Sequence, residues 1–358
     1  MHPAELLLQT LRFRGVLEPE RLRAAWAAVP TRGLSRLVEF EQCSLWLWRR
    51  LQQVEATDAP ETGFARELAR SARAAAAQNM LVDEQTDAVL HVLAAEGVPS
   101  VLLKGAARRS AAAWCPLADA RATRDVDVLV PASRARAAWD RLRASGYEFA
   151  RRPGAIGPEH FHLPPLWDRS RVAVELHTST SPAVPPEEAW RRATAACHAV
   201  ERAGLQASVP PATELLWHGL THALQNRSDA FRLRFLLDGA TIWAGDAEID
   251  WQEIGRRLVS PEIPDAASAA AWLMAAGWLA GAVPPVPLPA ADPRFDLERA
   301  LRWRLAVVRL LPPHGRVVKL LAAEGTRAEI GLGLTPEAPR PVAAPARMAY
   351  VLWRALAG

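Results

Sequence analysis

The strongest structural signal in the chain is the heptapeptide Arg124-Asp125-Val126-Asp127-Val128-Leu129-Val130. Its alternation predicts a β-strand that buries its valine face and carries Asp125 and Asp127 together on the other face. The Cβ atoms of these aspartates would lie roughly 6–7 Å apart, and their like charges would raise each other's pKa unless a cation offset them. The pair therefore indicates a divalent metal site, although its spacing alone fits a solvated strand edge or a local cap equally well.

The composition is that of a globular chain with a mixed surface. It has 358 residues, half of them hydrophobic, which is enough for a sizeable core divided among two or three subdomains. The net charge of +4 arises from 43 basic and 39 acidic side chains, so the surface permits a polyanionic partner without requiring one. Long nucleic acid is not expected as a partner, because basic and aromatic residues do not cluster together.

The cysteines and the apolar stretches exclude several classes of protein. Cys43, Cys115 and Cys197 form no C-x-x-C pair, which argues against a disulfide framework and a Cys-rich zinc site and favours a reducing compartment. The N-terminus lacks a basic region followed by a long apolar run, so we expect no signal peptide and a cytoplasmic location. The uncharged, Ala-rich stretch 266–283 predicts a buried helix rather than a membrane span, so no membrane partner is expected.

The periodicity divides the chain into three expected regions: an N-terminal helical region over 1–95, a core over 96–200 and a C-terminal helical region over 201–358. The first and last show apolar residues at three- and four-residue spacing, and the helical pattern resumes near residue 205. The core alternates short strands with helices. The predicted fold class is therefore α+β, with a small mixed sheet flanked by N- and C-terminal helical regions.

Individual segments within these regions are also predicted. The N-terminal helices are expected in four segments, which are 6–8, 22–29, 34–51 and 64–90. The C-terminal region is expected to contain a Pro-rich connector over 283–293, an extended or partly disordered tail over 336–345 and a final helix over 348–356.

A short apolar strand over 100–103 leads into Lys104-Gly105, and a helix is predicted from about Ala106. A glycine between a strand and a helix start would let a phosphate approach the main chain near the helix N-terminus. An ordinary turn explains a single glycine equally well. Lys104 strengthens the phosphate interpretation because the chain otherwise uses arginine almost everywhere, with Lys319 as its second lysine.

A third carboxylate and several histidines follow. The stretch 171–177 predicts a strand with Glu175 on its exposed face, where it would join the two aspartates if the strands are neighbours. His160, His162 and His177 are expected to line a cleft rather than bind metal, because no Cys or Asp partner completes a zinc pattern. A second pair, His218 and His222, lacks the Glu of H-E-x-x-H and is predicted to be buried or to face a substrate.

Several motifs together resemble the nucleotidyltransferase superfamily of the DNA polymerase β type. More narrowly, they resemble an uncharacterised nucleotidyltransferase family often found near peptide natural-product clusters. The resemblance covers about residues 35–255 and implies a nucleotidyltransferase core over 96–200. The motifs are Leu102-Leu103-Lys104-Gly105, Arg121 four residues before Asp125, Asp125-Val126-Asp127-Val128-Leu129-Val130-Pro131, Ser145-Gly146-Tyr147, Val174-Glu175-Leu176-His177, His218-Gly219-Leu220-Thr221-His222, the stretch 233–238 and Ile249-Asp250-Trp251.

The resemblance implies transfer of a nucleoside monophosphate from an NTP with Mg²⁺, or with Mn²⁺ in its place. Asp125 and Asp127 would bind the metals that bridge the triphosphate, and Glu175 would hold the metal on the attacking oxygen and could act as base. The β and γ phosphates would face Lys104 and the Gly105 amide. Charge on the leaving pyrophosphate would be offset by one of two cations, Arg121 or Arg124, although either could instead position the loop.

Two departures from the superfamily pattern concern the phosphates, and the acceptor stays open. Gly105 is followed by Ala106 where Gly-Ser or Gly-Gly is common, and the spacing from Gly105 to Asp125 is long. The acceptor would be a hydroxyl or phosphate on a peptide, a small molecule or an RNA end. The alternatives are a catalytically silent nucleotide- or peptide-binding partner in a biosynthetic complex, or a tRNA-modifying toxin.

Overall fold

The computed structural model describes residues 1–15, 17–149, 161–170, 172–225, 230–288 and 297–310. Two compact units are present. The first comprises Met1–Ala72, His222–Ala240 and Ile263–Gly358, and the second comprises Arg73–Thr221 and Thr241–Glu262. The predictions for His160, for the tail over 336–345 and for the helix over 348–356 lie outside the described residues. The three-region division drawn from periodicity stays a prediction.

Within the described residues, thirteen α-helices and one six-stranded mixed sheet form an α+β fold, which confirms the predicted class. The helices are α1 (Pro3–Leu11), α2 (Pro19–Ala28), α3 (Leu34–Glu41), α4 (Ser44–Gln53), α5 (Thr62–Ala95), α6 (Lys104–Ser110), α7 (Ala132–Ala144), α8 (Pro186–Thr194), α9 (Ala212–Gln225), α10 (Leu233–Ala244), α11 (Trp251–Arg257), α12 (Ala266–Ala280) and α13 (Leu297–Leu310). The strands are β1 (Val101–Leu102), β2 (Asp125–Leu129), β3 (Leu166–Trp167), β4 (Ala173–His177), β5 (His198–Arg202) and β6 (Leu205–Val209).

The regular structure in the described residues of the first unit is helical. The segment predicted as one helix over 34–51 is two helices, because Gln42 adopts a left-handed conformation (φ 54°) that ends α3. The Ala-rich stretch forms α12, which is buried on most of its surface, as predicted. None of the helices in the described part of the chain has both the length and the apolarity needed to cross a lipid bilayer.

The sheet lies in the second unit and has the strand order β3-β4-β2-β1-β6-β5. β2 is an interior strand that pairs in parallel with β4 and antiparallel with β1. β1 also pairs in parallel with β6, and the edge pairs β3·β4 and β5·β6 are antiparallel. The acidic stretch is therefore not a solvated sheet edge, since both sides of its backbone are hydrogen-bonded to neighbouring strands.

The prediction that β2 buries a single face was wrong. Val126 and Val128 are fully buried on one face, and Asp127 and Leu129 are fully buried on the other. Helix α8 covers this second face at Leu129, where Ala193 and Trp190 pack on it and on Val101 of β1. Asp127 is instead in contact with Lys104 and His177. The carboxylate of Asp127 is thus withdrawn from bulk solvent, which strengthens every charge interaction that it makes.

The prediction that the chain is helical from about residue 205 was wrong for the first residues of that range, whereas α9 confirms the first helix expected there, over 213–223. β5 and β6 form a hairpin joined by Ala203-Gly204, and the next helix begins only at Ala212. Both turn residues have positive φ values (47° and 77°), which is typical of the tight two-residue loops that connect twisted antiparallel strands. Two sequence signals were available, which are the Ala203-Gly204 turn and the alternation of Leu205, Ala207 and Val209 in β6.

Tyr147, which follows α7, gives a pH-dependent prediction. Burial raises its pKa to about 12, with a further contribution from the negative charge of Asp168, while a hydrogen bond with Gln85 opposes the shift. Since this lies above the ordinary value of about 10, folding favours the neutral phenol. The associated stability is complete below pH about 10 and is lost as the pH rises through about 12.

The measurement is a tyrosinate absorbance titration, which is simple because the chain has two tyrosines, Tyr147 and Tyr350. We expect one late transition near pH 12 that is missing from Tyr147→Phe. A wild-type protein in which both phenols ionise together near pH about 10 would contradict the assignment.

Candidate metal and nucleotide site

The pairing of β2 with β4 brings the predicted carboxylates together. The two strands are parallel and in register, with Asp127 opposite Glu175 and Asp125 opposite Ala173. Directly opposite residues of neighbouring strands project from the same face of a sheet. The condition stated for Glu175, that its strand must neighbour the acidic strand, is therefore met.

The innermost cluster contains Asp127, Glu175 and His177, whose ligand atoms all lie within 4.8 Å of one another. His177 Nε2 is 2.8 Å from Asp127 Oδ1 and 3.5 Å from Glu175 Oε2. The Asp127 and His177 side chains are fully buried, whereas that of Glu175 is 21% exposed. Asp125 lies two residues farther out along the same face, and it does not belong to this set among the described residues.

Sequence reasoning missed His177 because it searched for an Asp or Cys partner within the histidine's own segment. The partner, Asp127, comes instead from the neighbouring strand. The signal that was available is the two-residue spacing of Glu175 and His177, which places both side chains on one face of β4. None of the other histidines in the described ranges joins the cluster. His162 stacks at 5.3 Å from the His177 ring, His218 is buried in α9, and the ring of His222 lies 5.6 Å from that of Phe235.

Lys104 contributes a cation to the cluster. Its Nζ is 2.6 Å from Asp127 Oδ1 and 3.9 Å from Glu175 Oε2. The residue has a positive φ of 44°, which is strained for a side chain with a Cβ, and α6 begins there, two residues earlier than predicted. This sharp turn from strand to helix brings the ammonium back onto the carboxylates. The predicted contact of Lys104 with phosphate stays a prediction.

The buried charges shift one another's pKa. Burial alone would raise the pKa of Asp127, but Lys104 and His177 hold it well below its ordinary value. Burial would also raise the pKa of Glu175, yet the hydrogen bond from His177 lowers it. For His177 and Lys104, burial acts to lower the pKa, and the neighbouring carboxylates raise it above the ordinary value.

Asp125 behaves differently from the other acids. Its pKa is raised first by burial and then by the charge of Asp127, while Lys104 and Arg121 only partly oppose the shift. The sequence predicted that two like charges on one strand face would raise each other's pKa. The pKa of Asp125 follows that prediction, whereas the pKa of Asp127 is lowered by Lys104 and His177. The outer end of the cluster therefore has an excess of negative charge that an additional cation would relieve.

Unpaired atoms also indicate a cation. Among the described residues, Asp127 Oδ2 and His177 Nδ1 are buried without a hydrogen-bond partner. An unsatisfied buried carboxylate oxygen is costly, by about 1–3 kcal/mol or more when charged. Carboxylate oxygens are the ligands that Mg²⁺ and Mn²⁺ prefer. The Lys104 ammonium already provides one positive charge beside these oxygens. The residues present therefore fit a divalent metal ion.

Gly105 lies against the loop that leads into β2. A Cβ built on it would lie 2.5 Å from Thr123 Cγ2 and 2.6 Å from Arg121 Nη1, so only glycine fits. Arg121 Nη1 donates to Thr123 Oγ1 at 3.1 Å, and buried Asn79 of α5 accepts from Thr123 N and donates to Asp119 O. These contacts hold the Arg121 guanidinium beside the turn of Lys104. By contrast, the Arg124 side chain is exposed.

Gly105→Ala is expected to destabilise the protein by about 1–3 kcal/mol, because the new Cβ would overlap a buried threonine that has no room to move. It would also displace Arg121 and so weaken any anion binding at the turn. Urea unfolding measures the first effect. The matched control is Gly63→Ala in α5, where a Cβ would meet no atom within 4 Å; this change should be neutral or stabilise by up to about 1 kcal/mol. Equal behaviour of the two variants would contradict the packing argument.

A comparison of the whole sequence with known families agrees with this site. The profile of a family described as an uncharacterised nucleotidyltransferase matches residues 29–278, and the chain belongs to that family. The match spans both β2 and β4, so it includes all three carboxylates. No curated protein and no solved structure gives a significant match.

Proposed function

We propose that this member of the uncharacterised nucleotidyltransferase family transfers a nucleoside monophosphate from an NTP to an acceptor hydroxyl or phosphate, with a divalent metal ion. The observation that carries the proposal is the in-register pairing of Asp127 with Glu175, with Asp125 on the same strand face. Family membership supports nucleotidyl transfer in general, and the acid cluster supports a metal-dependent form of it.

Asp125, Asp127 and Glu175 would hold the metal, which we take to be Mg²⁺ or Mn²⁺. When bound, such ions neutralise phosphate charge and make the attacking oxygen a stronger nucleophile. Glu175 is the most accessible member of the inner cluster and has a lowered pKa, so it is ionised and can accept a hydrogen bond from the attacking group. Asp127, fully buried, fixes the inner edge of the site.

Two cations and one backbone amide of the chain would act on the triphosphate. Lys104 and the backbone amide of Gly105 would contact the β and γ phosphates. Arg121, held beside Gly105 by its bond to Thr123, would stabilise charge on the leaving pyrophosphate. Arg124 is the alternative for that role, and its exposure leaves it free to turn toward a ligand. The acceptor would be carried by a peptide, a small molecule or an RNA end.

The test incubates the full chain with each of the four NTPs, Mg²⁺ or Mn²⁺ and candidate acceptors, and measures pyrophosphate release and metal-dependent NTP binding. We expect both in the wild type and their loss in Asp125→Asn. The matched control is Asp140→Asn, which removes a carboxylate from the exposed face of α7 and should change neither. Wild-type protein that neither binds an NTP in a metal-dependent way nor releases pyrophosphate would overturn the proposal.

A second candidate is a catalytically silent nucleotide- or peptide-binding protein. The 2.6 Å contact between Lys104 Nζ and Asp127 favours it, because a side-chain cation there can replace a metal permanently. Such a protein would bind an NTP equally well with and without a divalent ion and would release no pyrophosphate with any acceptor. The same assay therefore separates the two candidates.

A further inference from the structure

We propose that His177 is itself a metal ligand through Nε2 and that it makes the centre select Mn²⁺ over Mg²⁺. The inference rests on the proposed function in one respect only, namely that the acid cluster is a metal centre. It concerns the identity of the ligands and of the ion, and it does not depend on which nucleotide or acceptor is used.

The first argument is geometric. Two ligands bound at about 2.1 Å lie about 3.0 Å apart when their bonds are at right angles and about 3.4 Å apart in a tetrahedral arrangement. His177 Nε2 stands 2.8 Å from Asp127 Oδ1 and 3.5 Å from Glu175 Oε2. Both distances from Nε2 are therefore close to those between ligands of one ion, all three ligand atoms lie within 4.8 Å of one another, and two of the three side chains are fully buried.

The second argument is the way in which the ring is held. His177 pairs with Leu129 in the register of β4 on β2, and its carbonyl accepts a hydrogen bond from Val130 N at 3.0 Å. Its ring lies 5.6 Å from that of Phe161 and 5.3 Å from that of His162. Nε2 consequently points into the acid cluster, while Nδ1 has no hydrogen-bond partner among the described residues.

The choice of ion follows from ligand chemistry. Mg²⁺ takes oxygen ligands almost exclusively and retains several waters, whereas imidazole suits first-row transition ions. A centre with one imidazole and two or three carboxylates keeps the oxygen-rich character that suits Mn²⁺ and adds a nitrogen that Mg²⁺ uses poorly. The competing role for His177 is a positioning residue that donates a hydrogen bond to Asp127 and never contacts the ion.

The experiment uses the full chain without nucleotide. Electron paramagnetic resonance of free Mn²⁺ measures its binding, Mg²⁺ competition measures selectivity, and pulsed spectra detect coupling of bound Mn²⁺ to a nitrogen nucleus. We expect nitrogen coupling in the wild type and at least about tenfold tighter binding of Mn²⁺ than of Mg²⁺. His177→Gln, which keeps an N–H donor for Asp127, should lose the coupling and most of the preference. The matched control His162→Gln should keep both.

Each outcome is decisive. Bound Mn²⁺ without nitrogen coupling, together with unchanged selectivity in His177→Gln, would make His177 a positioning residue and overturn the inference. Failure of Mn²⁺ to bind would overturn the inference and the metal centre together. Nitrogen coupling without NTP binding or pyrophosphate release would leave the inference standing while the proposed function fails. If His177→Gln does not fold, the test uses wild-type protein grown with ¹⁵N-histidine. Coupling of bound Mn²⁺ to ¹⁵N supports the inference, and its absence overturns it.

Discussion

Asp127→Asn is expected to lower kcat/KM for nucleotidyl transfer by at least about 1,000-fold, which corresponds to about 4 kcal/mol of transition-state stabilisation. Asp127 is fully buried, contacts Lys104 and His177 more closely than Glu175 does, and lies directly opposite Glu175 in the register of β2 and β4. The amide has nearly the same shape but no negative charge, so it would bind a divalent ion poorly. Pyrophosphate release with the preferred NTP measures the effect.

The same substitution has a structural effect that must be separated from the catalytic one. It leaves the Lys104 ammonium and His177 without their main counter-charge, and breaking a buried pair on one side typically costs about 3–5 kcal/mol. Since Lys104 is 13% exposed, we expect about 3 kcal/mol in urea unfolding. The double variant Asp127→Asn/Lys104→Met removes both charges and should recover most of this stability without recovering activity. Activity in the double variant would contradict the assigned role of Asp127.

Lys104→Met is expected to have opposite effects on two measurable quantities. Affinity of the free protein for Mn²⁺ should rise about tenfold, or about 1.4 kcal/mol, because an ammonium 2.6 Å from Asp127 Oδ1 repels and competes with the incoming ion. Transfer activity should nevertheless fall about 100-fold, because the cation assigned to the β and γ phosphates is lost. Metal titration and steady-state kinetics are run on the same preparation.

The control for Lys104→Met is Lys104→Arg, which keeps the positive charge and should not raise the metal affinity. A Lys104→Met variant whose metal affinity is unchanged would show that the ammonium and the metal occupy different positions. A variant that gains metal affinity and keeps full activity would remove Lys104 from the triphosphate site. The two readouts thus test separately the two roles that the contact with Asp127 suggests.

The sequence predicted the α+β class and the two strands that bear Asp125, Asp127 and Glu175, because alternation over 125–129 and 173–177 is a strong local signal. It did not predict the burial of Asp127, because the side chains that contact it, Lys104 and His177, come from other segments of the chain. The register between β2 and β4 likewise depends on residues that are far apart in the sequence. Only the resemblance to a family suggested that the acids meet, and the alternation of either strand gives no information about its neighbour.

His177 also shows that a local sequence pattern does not reveal contacts between distant segments. Its residue type and position were visible, but its significance depends on Asp127, which lies far away in the sequence and 2.8 Å away in space. The hairpin of β5 and β6 was missed for a different reason. β6 does alternate, with Leu205, Ala207 and Val209 on one face, but it is only five residues long and β5 shows no such alternation. The longer helical pattern that follows therefore dominated the interpretation.

The in-register pairing of β2 with β4 has a consequence for how the protein reaches its native state. The two strands are parallel, so they are joined through a crossover that contains α7, and their contacts are distant in the sequence. Such contacts form late, because the entropy of closing a long loop must be overcome first. Here the approach also brings together carboxylates that repel each other until Lys104 or a metal ion is in place. Partly folded chains that have already formed their helices would therefore lack the cluster, and metal binding would report completion of folding in the second unit.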